Sequence, residues 1–208
     1  MLCIRWTNSL RLWENWNNST GGDGDMFVGE VEARLGARPT NRIPFTRIGV
    51  GQRVKVHFLW DFNEGIALYR HEGVPAVGRE GRRSVTCHLN DWYAQLSNGH
   101  CPYCADGYPR KIYYFFLIWN HDQKSVELLS ARRTSYSFVP SLKELFDAEG
   151  TIKGRDWVIS RRQDESGRPN VTKYIALPGA PVDFKLPDGV TVPTVEEVKA
   201  FLAPPELS

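Results

Sequence analysis

KIYYFFLIW (Lys111–Trp119), the turn Asn120-His121-Asp122-Gln123 and KSVELLSA (Lys124–Ala131) together read as two strands folded back on each other. The apolar run from Ile112 to Trp119 is rich in aromatic and branched residues, bounded by polar turn residues, and of strand length, so it predicts a buried strand. It is also the longest apolar run of the chain, far short of the roughly 20 residues that a bilayer-crossing helix needs.

Strand patterns continue on both sides. RVKVHFLWD (Arg53–Asp61) alternates, with Arg53, Lys55 and His57 on one face and Val54, Val56 and Phe58 on the other, which predicts a half-buried strand with a cationic outer face. Asn63-Glu64-Gly65 then turns the chain into Ile66–Arg70, expected to be its hairpin partner. Upstream, FVGEVEAR (Phe27–Arg34) alternates loosely and RIPFTRI (Arg42–Ile48) is a short strand before the Gly49-Val50-Gly51 turn. Downstream, Phe138, Leu142, Leu145 and Phe146 recur at helical spacing within Ser135–Glu149, and Gly150 closes that helix. Asp156–Arg161 and Thr172–Leu177 form a last hairpin around Ser166-Gly167-Arg168-Pro169. Thr194–Leu202 is a helix opened by a capping box, Thr194 with Glu197.

The expected fold is therefore mainly β, a β-rich α+β chain of five to seven strands with one or two helices. An OB-like Greek-key barrel fits that count. Residues 1–25 read as an N-terminal arm and linker, carrying Trp6, Trp13 and Trp16 before a Gly/Asp run. Residues 26–180 form the barrel core, with a metal-rich insertion at about 71–110, and residues 181–208 form a mildly acidic end with a short helix. In that end Lys185 and Lys199 face Asp183, Asp188, Glu196, Glu197 and Glu206, so the body is more basic than the overall charge of +2 suggests. No signal-peptide-like apolar segment stands at the N-terminus, and three of the four cysteines cluster at metal-ligand spacing, which points to a reducing interior.

The insertion carries the chemistry. Cys101 and Cys104 are two residues apart on a tight turn and can aim both sulfurs at one point, half of a tetrahedral zinc site. Cys87 offers a third thiolate. His71 is the favoured fourth ligand, because His88 and His100 each adjoin a candidate Cys and neighbours on an extended chain point apart; those two remain the alternatives. Residues 71–110 hold Gly, Pro and charged residues with few long apolar runs, too little apolar surface for a core of their own, so a metal would organise this segment. Four protein ligands make such a zinc structural.

Motifs of catalysis are missing: no Gly-rich phosphate loop, no GxSxG elbow and no HExxH. A zinc deaminase would pair His-x-Glu with Pro-Cys-x-x-Cys, whereas here His71 and Glu72 are adjacent and Pro102 falls inside the Cys pair. Asp61 and Glu64 lie in a turn and read as solvated. No enzymatic activity is expected.

Basic residues interleave with aromatics: Arg53, Lys55, His57 and Trp60 on one strand, Arg110, Lys111 and Tyr113 on another, and Arg132 and Arg133 at the end of a third. Rings stack on exposed bases while Arg and Lys follow phosphates, a combination suited to single-stranded nucleic acid. Phe115 and Leu117 read as core.

The order His71, Cys87, Cys101-x-x-Cys104 within an OB-like pattern resembles the bacteriophage single-stranded DNA-binding proteins of the T-even helix-destabilising type. The likeness also touches Arg42-Ile43-Pro44-Phe45 with Arg53–Phe58, Cys101–Gly107, Pro109-Arg110-Lys111 and Thr172-Lys173-Tyr174, and spans roughly residues 40–178. It implies a zinc subdomain inserted in an OB core, with Zn2+ structural. It also implies cooperative, sequence-independent coating of single-stranded DNA in phage replication or recombination, in the cytoplasm of an infected bacterium. Expected partners are single-stranded DNA, further copies along the strand, and replication or recombination proteins; no membrane is involved. The end of the chain is less acidic than that family's tails. The competing expectation is a zinc-containing protein-interaction module of a larger nucleic-acid-processing or defence complex.

Overall fold

The computed structural model describes residues 43–76, 81–91, 93–94, 97–164 and 171–204. The expected arm at 1–25, the strand at 27–34 and the turn at 166–169 lie outside the described residues. Within them the chain is mainly β, as its pattern predicts: a seven-stranded antiparallel sheet and three short helices. The strands are β1 (Arg53–Phe58), β2 (Ile66–Pro75), β3 (Arg82–Thr86), β4 (Arg110–Asn120), β5 (Ser125–Arg132), β6 (Arg155–Gln163) and β7 (Thr172–Pro181). The helices are α1 (Pro102–Ala105), α2 (Val139–Glu149) and α3 (Val195–Leu202). Among the described residues no helix is long and apolar enough to cross a membrane.

The hairpin that opens the sequence reading is present as β4–β5, in register from Tyr113↔Arg132 to Asn120↔Ser125. Lys124 takes a positive φ of 52° in its turn. The last hairpin is β6–β7. The expected β1–β2 hairpin does not form. Instead β1 pairs with β4 and β6, and β2 pairs with β3 and β4. Both run antiparallel to β4, β2 along its first half and β1 along its last residues, so β1 and β2 act as one long strand with a break.

The break has a clear cause. Asp61 caps a single 3-10 turn (Phe62–Glu64) through a capping box with Glu64. Its carboxylate also receives Ile152 N–H (2.8 Å) and the Thr151 hydroxyl (2.6 Å), tying the break to the loop before β6. Asp61 is a joint between two loops, not the solvated turn acid its setting suggested. Gly65 follows because a Cβ there would stand 2.6 Å from the Phe116 ring.

β4 is apolar on both faces and divides two cores. Phe116 and Ile118 join Val54, Val56, Phe58, Leu129, Ala131, Trp157, Ile159 and Ala176 in the interior around which the sheet curls, with Phe138, just before α2, and Leu142 of α2 plugging it. Gly150, at φ 78°, ends α2 as its position predicted. Phe115 and Leu117 face outward with Trp60, Ile66, Leu68, Tyr93 and Leu128, and Val198 and Leu202 of α3 cover them. Beside β5, the segment around Phe45 adds a parallel bridge to Leu128, and Gly51 and Gln52 bond Arg161 of β6, so residues 44–52 span from β5 to β6. Of the expected Arg42–Ile48 strand, the described residues 43–48 thus form a bridge, not a full strand.

Candidate metal centre and basic-aromatic faces

β2 carries His71 beside Arg110 of β4 and Val85 of β3, with its ring buried. Its Nδ1 lies 2.9 Å from the Tyr108 carbonyl, a bond that places the proton there and leaves Nε2 as a free donor pair for a cation. Burial holds the His71 pKa below its ordinary value, outweighing that bond, so the ring is neutral. Cys101 is the residue before α1, Pro102 starts the helix, and one turn brings Cys104 back beside Cys101. Cys87 follows β3, with its N–H on the Tyr69 carbonyl at 2.9 Å.

These four meet at one point. Nε2 of His71 stands 3.5 Å from Sγ of both Cys101 and Cys104, and Sγ of Cys87 stands 3.9 and 3.7 Å from those sulfurs. All four donor atoms lie within 4.8 Å of one another. With bonds of about 2.3 Å to sulfur and about 2.05 Å to nitrogen, tetrahedral angles put sulfurs roughly 3.8 Å apart and sulfur and nitrogen roughly 3.5 Å apart. The four distances given match those spacings, and the cluster can hold a metal ion. His88 and His100 are not part of it. His88 is buried edge-on to Tyr103, and His100 is exposed.

The thiols show why a cation suits the site. Burial pushes Cys87 up to about 12 and raises Cys104 as well. Burial pushes Cys101 the same way, but hydrogen bonds from the backbone of His88 and Cys104 and from the neighbouring sulfurs hold it below an ordinary thiol. Three packed thiols cannot all ionise unaided, and a bound cation is what lets them do so. All three are free of disulfides.

Two supporting residues escaped the sequence reading. Asn90, buried, accepts Tyr69 N–H at 2.7 Å and donates to the carbonyls of Tyr69 (3.0 Å) and Cys87 (2.6 Å), locking the Cys87 loop to β2. Tyr93, fully buried, joins the outer core. The only advance signal was an Asn three residues after a Cys in a polar turn.

The nine candidate nucleic-acid residues do not share one surface. Lys55 pairs with Asp156 at 2.7 Å, and His57 is 6% exposed, bonded to Asp156 at 3.1 Å and stacked on Phe184 at 4.3 Å. Trp60 is also 6% exposed, in the outer core. The expected cationic face of β1 is therefore roofed by Phe184, with only Arg53 and Lys55 reaching solvent. Lys111, Tyr113 and Arg132 point to that same outer side, where Tyr113 donates to Glu72 at 2.6 Å and Arg132 stands 3.4 Å from it.

Arg110 and Arg133 belong to the opposite, inner side. The ladder sets Tyr69 against Ile112, His71 against Arg110 and Tyr114 against Ala131, so these share one face with the metal cluster. Arg133 follows on, its N–H bonded to the Ile112 carbonyl at 2.8 Å. The Arg110 guanidinium lies 4.2 Å over the Tyr69 ring, which is 36% exposed. Farther along, Arg161 lies 5.6 Å over Tyr174, whose N–H bonds the carbonyl of exposed Tyr136. Tyr69, Tyr136 and Tyr174 were not among the expected contacts. Compared with protein-family models, curated proteins and solved structures, the chain matches none.

Proposed function

We propose that this protein binds single-stranded DNA without sequence preference along the inner sheet face, and that a structural Zn2+ held by His71, Cys87, Cys101 and Cys104 shapes one end of that face. The observation that carries the reading is the Arg110–Tyr69 stack beside the metal cluster. An exposed ring with a guanidinium on it offers a base a stacking partner and a phosphate a cation within one residue pair. Ile112, Tyr114 and Arg133 continue the face, and Arg161 with Tyr174 repeats the pairing. Zinc with four protein ligands supplies folding free energy and keeps no open position, which fits a coating protein of phage-type replication or recombination in a bacterial cytoplasm and not an enzyme.

Binding of this kind releases counterions and weakens steeply with salt. A titration of fluorescent poly-dT against the full chain, at low and high salt and beside a duplex competitor, tests it. Tight, salt-sensitive binding to the single strand and weak binding to duplex support the proposal; no binding at low salt ends it. A second reading, a protein-interaction module, is favoured by Val158 and Leu177, which face each other across β6–β7 at 37% and 58% exposure.

A further inference from the structure

The C-terminal helix is fastened by the metal-bearing insertion. Tyr93 Oη donates to the Lys199 carbonyl and Thr86 Oγ1 to the Leu202 carbonyl, each at 2.7 Å and each buried. Both carbonyls belong to the last turn of α3, where no helical N–H remains to satisfy them. Tyr93 hangs on the Cys87 loop, and Thr86 ends β3 where that loop begins. Thr86 precedes the ligand directly, and Tyr93 N–H bonds the carbonyl of Asn90, whose side chain holds the Cys87 carbonyl. α3 also lays Val198 and Leu202 into the outer core with Leu68, Tyr93, Phe115 and Leu117.

We propose that filling the His71/Cys87/Cys101/Cys104 site is what seats α3, so that metal occupancy decides whether the outer apolar face of the sheet is covered. The physical route is short. Without a cation the three thiols and His71 lose their common partner, the 87–104 loop loses its organising point, and the Thr86 and Tyr93 hydroxyls are no longer held under the helix end. The interior core around Trp157 shares no residue with this chain of contacts and keeps its own packing. The proposal rests on metal binding by the cluster and not on DNA binding.

The test is hydrogen exchange on the full chain, zinc-loaded and chelator-treated, with no nucleic acid present. Removing zinc is expected to speed exchange in α3 at least tenfold while β6 stays protected, and to raise binding of an apolar dye. In the zinc-loaded protein, Tyr93→Phe is expected to speed α3 exchange about fivefold, the loss of one net hydrogen bond, with zinc still bound. Coupling is reciprocal, so Val198→Asp, which unseats α3 by putting a charge in its apolar contact, must weaken zinc binding. Unchanged α3 exchange after chelation overturns the proposal, as does equal loss of protection in β6, native zinc affinity in Val198→Asp, or a protein that takes up no zinc.

Discussion

Tyr69→Ala removes the exposed ring at the start of the inner face and is the sharpest probe of where a single strand runs. A base stacked on an aromatic side chain contributes about 1–3 kcal/mol. Here one side of the Tyr69 ring is already occupied by the Arg110 guanidinium at 4.2 Å, so one base can stack and not two. That argues for the lower part of the range, about 1–2 kcal/mol, or roughly a 5- to 30-fold loss of affinity. Arg110→Gln keeps the ring but removes one phosphate partner, and the slope of log K against log salt should shrink by about 0.7. Because Arg110 rests on Tyr69, the double variant should lose less than the two single losses combined. Anisotropy titrations of labelled poly-dT across a salt series read all three quantities. Metal content must be measured in parallel, since the Tyr69 backbone is bonded to Asn90 and Cys87. If Tyr69→Ala binds within twofold of the native protein while Lys55→Gln or Arg132→Gln weakens binding, the strand follows the outer face and the assignment of the inner face fails.

Asp61→Ala should cost about 2–3 kcal/mol in urea denaturation, because Phe62 N–H, Ile152 N–H and the Thr151 hydroxyl all lose their acceptor; a change under 0.5 kcal/mol would refute its role as the joint of the barrel. Leu142→Ala, at a fully buried position of α2, should cost about 2–5 kcal/mol by the same measurement without changing metal content. Burial holds His57 below its ordinary 6.5 despite the pull of Asp156, with the His121 ring and the Lys55 ammonium the other groups on that carboxylate. The unfolded chain then binds the extra proton, so this contribution is fully present above about pH 6.5 and is lost as pH falls below it. Stability measured against pH for native and His57→Gln proteins should differ in slope as pH falls below about 6.5, and parallel curves would show that His57 is not the titrating group.

Local signals carried much of the fold. The β4–β5 and β6–β7 hairpins, α2 with Gly150, and α3 with its Thr194–Glu197 box are each set by neighbours within a few residues, through alternation, a turn or a cap. The three cysteines were legible for the same reason, and His71 because it lacked an adjacent competing ligand. What failed was long-range. Alternation in β1 separates two faces but does not say what lies on each. Nothing near His57 announces that Phe184, more than a hundred residues later, stacks on it, or that Asp156 bonds it. Likewise Asn63-Glu64-Gly65 has turn residues, but the capping box and the Phe116 contact make it a break in one strand instead of a reversal.

Coverage of the outer face decides where function can reside. A strand as apolar as β4 must bury both sides, and the interior of the curled sheet takes only the side of Phe116 and Ile118. Phe115 and Leu117 need a second cover, which the chain supplies with α3. Once that cover is in place, the basic residues of the outer side are left at its rim, where Lys55 and Arg132 meet Asp156 and Glu72. The inner side differs at its open end. Back from Phe116 and the half-buried Tyr114 the core gives way to Ile112 and Arg110 at the start of β4, beside the candidate metal site, where β2 brings Tyr69 and His71. Apolar closure at one end of a strand and stacked tyrosine and arginine at the other are therefore two results of one constraint: β4 is longer than the core it serves. Its surplus residues, Arg110 to Ile112, belong to neither apolar core, and that freedom from packing is why the proposed path of a single strand begins at this end.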